Sequence, residues 1–87
     1  MQLKDTVELM NSEDFKERFK AEYYQLLFRL NALTSMLYKW KNNTLDFEPK
    51  CSKETIENQF IFMQGYIGIL RLRAEIEEID LYYPIQR

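Results

Sequence analysis

Apolar positions recur in alternating steps of four and three along two long stretches of the chain. Between Ser12 and Trp40 the series is Phe19, Tyr23, Leu26, Leu30, Leu33, Leu37 and Trp40, a heptad seam on one face of a helix. A second seam, Ile56, Phe60, Met63, Ile67, Leu70 and Ala74, follows Ser52 and continues to about Ile79. Two such seams in one small chain predict an antiparallel hairpin with the seams facing each other. The fold class is therefore all-α: a short N-terminal helix over residues 3–10 and long helices over 13–41 and 52–79. A loop over 42–51 joins the long helices, and a tail over 80–87 completes a single domain spanning 1–87.

The ends of these stretches carry stop and start signals. Ser12 is a suitable N-cap, followed by Glu13 and Asp14, whose carboxylates oppose the positive end of the helix dipole. Lys39 and Lys41 fall in the last turn, and Asn42-Asn43 tolerates a left-handed exit. At 1.5 Å per residue the first long helix is roughly 40 Å long, so it needs packing along most of its length. Ser52 caps the second, with Glu54 and Glu57 in its early turns. A competing strand reading exists at Phe60-Ile61-Phe62 and Tyr66-Ile67-Gly68-Ile69, but the length of the periodic pattern and its caps favour helix. Leu3, Val7 and Met10 mark about two helical turns, marginal alone and expected to dock as an arm on a larger surface. In the loop, Asp46 and Pro49 are turn signals, while Leu45 and Phe47 are expected anchors. The tail Leu81-Tyr82-Tyr83-Pro84-Ile85 is expected to run extended.

Each long helix also carries apolar residues off its seam. Tyr24, Leu27, Phe28 and Tyr38 flank the first, and Phe62, Tyr66, Ile69 and Ile76 flank the second. A helix with two apolar faces needs two neighbours. Gly65 and Gly68 form a notch where another backbone can approach, and each glycine costs roughly 1 kcal/mol in a helix interior unless a close crossing compensates. Six Phe, six Tyr and one Trp in 87 residues are a heavy aromatic load for a chain whose size limits burial to a little over about 60% of its extended surface. Self-association into a homo-oligomer follows as the expectation.

A net charge of −2 offers no basic footprint for duplex nucleic acid. Cys51 is the one cysteine and the chain has no histidine, which excludes an internal disulfide, a Cys-His nucleophile and a zinc set; no cofactor is expected. Neither a signal pattern nor a membrane-length apolar run is present, so a cytoplasmic location without membrane contact is expected. Glu75, Glu77, Glu78 and Asp80 are close in sequence, but a catalytic dyad needs convergence from separate elements, and enzyme activity is not expected. Their default partners are Arg71 and Arg73; Tyr66 and Arg73, two turns apart on one face, are also candidates for holding an anion. The segment Phe15-Lys16-Glu17-Arg18-Phe19-Lys20 mixes cations with aromatics at a helix start, a combination able to hold a phosphate and stack a base. Interspersed Glu13, Asp14, Glu17 and Glu22 support the plainer alternative of a solvated face laced with i,i+4 pairs.

Taken together, Ser12-Glu13-Asp14-Phe15-Lys16-Glu17-Arg18-Phe19-Lys20-Ala21-Glu22-Tyr23, then Gln25-Leu26 and Trp40, and later Gln59, Met63, Tyr66, Ile69-Leu70 and Arg73-Ala74-Glu75, resemble a family of small phage and prophage proteins. That family includes the anti-CBASS sponges, which sequester cyclic oligonucleotide messengers of bacterial immunity. The resemblance runs from Ser12 to about Leu81, and Lys16 to Tyr23 is its most specific part. It implies a helical homo-oligomer, hexameric in the sponge branch, acting in the host bacterial cytoplasm. Cyclic di- or trinucleotides would be held between protomers without cleavage. Lys20 matches the lysine that meets the ligand's phosphates in that branch. The stacking aromatic of the family lies farther towards the N-terminus, where this arm has none, and Phe15 is the substitute. With Lys16, Arg18, Phe19 and Arg73 these residues form the candidate ligand site. A helical interaction protein of phage origin that binds another protein is the alternative.

Overall fold

The computed structural model describes residues 2–81, and residues 82–87 of the tail expected over 80–87 lie outside them. The chain opens with a 3-10 turn, Leu3–Thr6, that runs directly into a single helical turn, α1 (Val7–Met10). Two long helices follow, α2 (Phe15–Lys41) and α3 (Lys53–Ile76), and no strand forms among the described residues. The helix reading of Phe60 to Ile69 therefore holds over the strand reading. The molecule measures 43 × 24 × 22 Å, and its long axis matches the roughly 40 Å expected of a 27-residue helix.

Both helix starts and both exits follow from local chemistry. The α2 cap is Asp14 rather than Ser12: the Asp14 carboxylate accepts from the Lys16 amide at 2.9 Å. Ser12 stands one step outside, its hydroxyl accepting from the Asp14 amide at 3.0 Å. Ser52 caps α3 as expected, accepting from the Thr55 amide at 3.1 Å. At the end of α2, Asn43 takes φ 60°, and the Thr44 amide donates to the Lys39 carbonyl at 2.8 Å. That is a Schellman closure with an asparagine in the left-handed position. α3 ends at Ile76, three residues before the expected Ile79, in the same way. Glu78 takes φ 59° and the Ile79 amide reaches the Ala74 carbonyl at 2.8 Å. A glutamate is a poor left-handed residue, but the closure turns Ile79 into the core beside Ala74, the apolar contact that accompanies this motif.

α2 lies between the arm and α3, which explains its two apolar faces. Phe19, Tyr23, Leu26 and Leu30 are buried on the seam, against Ile67, Leu70 and Ala74 of α3. Tyr24 from the flanking face is buried as well, and Leu27 packs against the same cluster. Burial fades along the hairpin: Leu33, Leu37 and Trp40 are half-buried, and Tyr38 is exposed. The arm's side-chain hydrogen bonds reach α2 at Gln25, in its first half.

The arm docks by a different face from the one its spacing suggested. Thr6 is fully buried, its hydroxyl donating to the Leu3 carbonyl at 2.7 Å and accepting from Gln25 Nε2 at 2.9 Å. Leu9 packs on the core, while Leu3, Val7 and Met10 stay exposed. The 3-10 turn advances the chain by 120° per residue instead of 100°, which rotates the expected stripe away from α2. A second expectation fails within the protomer. A Cβ added at Gly65 or Gly68 would meet nothing within 4 Å, so the notch closes no crossing among the described residues.

Leu70→Ala should lower stability by about 2–5 kcal/mol in a denaturant melt, since it opens a cavity in the tightest part of the core. Gly68→Ala should raise the stability of the isolated protomer by roughly 0.5–1 kcal/mol, because the helix gains propensity with no clash. A loss at Gly68 under conditions of assembly would place another chain against the notch.

Candidate ligand ledge at the start of α2

The antiparallel register brings the last turns of α3 against the first turns of α2. Arg73 lays its guanidinium over the Phe19 ring at 4.9 Å from the centroid, and Arg71 lies 5.9 Å over Tyr23 while its Nε donates to the Tyr23 hydroxyl at 3.2 Å. Both arginines thus reach across to α2 rather than pairing along α3 with Glu75 or Glu77. An aromatic face beneath an exposed guanidinium contributes about 0.5–1 kcal/mol, comparable to or better than an exposed i,i+4 ion pair. Lys16 Nζ donates to the Glu78 carbonyl at 3.4 Å, tying the start of α2 to the end of α3.

These contacts sort the sequence-derived candidates. Phe15 is exposed with its ring centroid 6.2 Å from that of Phe19, so one aromatic face is free at the helix start. Phe19 is only 3% exposed and belongs to the core; it supports Arg73 from below and presents no face to a ligand. Arg18 is exposed, and its Nη1 donates to the Ser12 carbonyl at 2.8 Å, which holds the linker between arm and helix. Lys20 lies one turn beyond Lys16 on the same side of α2, half-buried, with no hydrogen bond or ion pair among the described residues. Phe15, Lys16, Lys20 and Arg73 are the candidates for a ligand ledge at this end of the hairpin.

One pair beside the ledge was not foreseen as a unit. The Tyr66 hydroxyl donates to the Glu22 carboxylate across the hairpin. That hydrogen bond, then partial burial and the negative charge of Glu22, push Tyr66 above its ordinary 10.0, while nearby Arg73 pulls it down. Glu22 is three residues past Phe19 on α2, and Tyr66 is seven before Arg73 on α3, so both sit on the faces that carry the ledge. The signal was present as spacing, but the pairing needed the register. No group of three His, Cys, Asp or Glu side chains among the described residues is placed to hold a metal, and no helix among them is long and apolar enough to cross a membrane.

A raised tyrosine pKa in the folded state means that the bond stabilises the fold below the ordinary tyrosine value and is lost as pH climbs through the raised one. Glu22→Gln should bring the Tyr66 midpoint down towards 10.0 in an ultraviolet phenolate titration, with Tyr66→Phe identifying which transition belongs to this residue. An unchanged midpoint in Glu22→Gln would show that the pair does not persist in solution.

No curated protein and no solved structure matches this chain. The sequence model of one family, Sequestin, matches residues 13–76, which is 64 of the 87 residues. The match begins at the turn before α2 and ends on the last residue of α3, so it contains the whole hairpin and every residue of the ledge. On that match the chain belongs to the Sequestin family.

Proposed function

We propose that this protein is a phage-encoded anti-defence protein that binds cyclic di- or trinucleotide immune messengers and holds them without cleavage. The observation that carries the reading is the family match across both long helices, since the family's name denotes sequestration. The ledge supplies matching chemistry. Lys16, Lys20 and Arg73 are donors for phosphate oxygens, and the exposed ring of Phe15 offers a base a stacking surface. Holding a ligand in this way asks for charge and shape complementarity and for no reacting group, in keeping with a non-enzymatic role.

A ledge open on one side encloses only part of a cyclic nucleotide. Self-assembly, as a hexamer in the sponge branch that the sequence resembles, would complete it. The outer face of α3 supports assembly: Phe62 is 76% exposed and Ile76 69%, with Ile61, Ile69 and Leu72 also exposed along the helix. That same apolar face is what favours the second reading, a helical interaction protein whose partner is a different protein.

Calorimetry against a panel of cyclic di- and trinucleotides tests the first reading, and light scattering at micromolar concentration separates it from the second. Saturable binding by an oligomer is the expected result. A monomer that binds no member of the panel would favour the interaction protein. Lys20→Ala should weaken binding about ten- to a hundredfold, the equivalent of roughly 1.5–3 kcal/mol for a charge-assisted hydrogen bond, and Lys20→Glu should weaken it further by repulsion. Equal affinity in wild type and Lys20→Glu, with helical circular dichroism preserved, would move the phosphate contact to the arginines of α3.

A further inference from the structure

The opposite end of the hairpin holds a cavity of about 440 Å³, within the range of small-molecule sites. Trp40, at the end of α2, is 20 residues beyond Lys20, so the cavity lies roughly 30 Å along the helix from the ledge. Its lining is aromatic and apolar in Trp40, Phe47, Leu45 and Pro49. Asp46 and Glu48 add two carboxylates to the same cavity.

We propose that this cavity binds an organic cation, a guanidinium or alkylammonium group. Two independent features select that charge. Two aromatic side chains line the cavity, and an aromatic ring offers a cation its negative π-face. Two carboxylates alternate with the apolar residues along the loop and supply acceptors for N–H donors, bidentate for a guanidinium. Lys39, Lys41 and Lys50 flank the loop in sequence, but none lines the cavity. A phosphate placed there would meet two carboxylates.

The cup is also built before any ligand arrives. Asn43 in the left-handed conformation turns the chain, and the bonds from the Asn42, Asn43 and Thr44 amides to the carbonyls of Tyr38, Trp40 and Lys39 fix the loop's departure from α2. Preorganisation of this kind reduces the ordering that binding would otherwise require.

Trp40 is the only tryptophan in the chain, so intrinsic fluorescence reports on this cavity directly. The intact protein is titrated at constant ionic strength with agmatine and with N-acetyl-arginine amide, and N-acetyl-citrulline amide serves as the uncharged isostere. A saturable change with a cation, at a concentration at least tenfold lower than for the citrulline derivative, is the expected result. Asp46→Asn combined with Glu48→Gln should raise the half-saturation at least tenfold. Phe47→Leu, which keeps apolar bulk and removes the π-face, should weaken binding severalfold by an independent route. Tighter binding of agmatine identifies a free amine as the ligand, and tighter binding of capped arginine identifies an arginine side chain of a protein. A linear response to the cations, a citrulline derivative that binds equally well, or carboxamide variants of unchanged affinity would each overturn the proposal.

Discussion

The structure depends on one packing contact, the meeting of Ile67, Leu70 and Ala74 on α3 with Phe19, Tyr23, Leu26 and Leu30 on α2. Each large side chain fully buried there contributes on the order of 1.5–3 kcal/mol, and a protein of this size has few such side chains to draw on. The contact is concentrated in the half of the hairpin where other chain segments add cover. The arm brings Thr6 and Leu9 onto α2, and the closure after α3 returns Ile79 and Leu81 to the same cluster. Tyr24, whose hydroxyl donates to the Leu81 carbonyl at 3.5 Å, links the middle of α2 to that returning segment.

This asymmetry gives the two ends of the molecule different chemistry. At the well-packed end the core itself orients the polar groups: buried Phe19 and Tyr23 hold Arg73 and Arg71 over their rings, and Phe15 is exposed one turn before Phe19. At the hairpin end Trp40 is half-buried and the loop forms a cup beside it. Phe15, Lys16 and Lys20 stand at the first end among acidic neighbours such as Glu17 and Glu22, and Asp46 and Glu48 line the cup at the second, with Lys39, Lys41 and Lys50 flanking it in sequence.

The outer face of α3 is the other consequence. With the seam committed to α2, Phe62, Ile69, Leu72 and Ile76 are exposed, and Gly65 and Gly68 stand open among them with respect to the described residues. A water-facing row of this kind is costly for a single chain and suited to burial against another.

Much of the architecture was legible in the chain because it is set locally. The four-and-three spacing of Phe19 to Trp40 and of Ile56 to Ala74 defines two helices and their facing seams, and Ser52, Asn43 and the lysines before it mark real boundaries. Lys16, Lys20 and Phe15 could be singled out as candidates from sequence, since they lie within about one and a half helical turns of each other. Contacts between elements were not legible, because they depend on register and rotation that no short stretch encodes. Arg73 could have paired with Glu77 on its own helix; only the fold put Phe19 beneath it and Glu22 beside Tyr66. The same holds for the arm, where the choice of a 3-10 turn decided that Thr6, and not the apolar stripe of Leu3, Val7 and Met10, would be buried. Spacing along a helix is a local property, whereas which face meets a neighbour is settled by the packing of the whole chain.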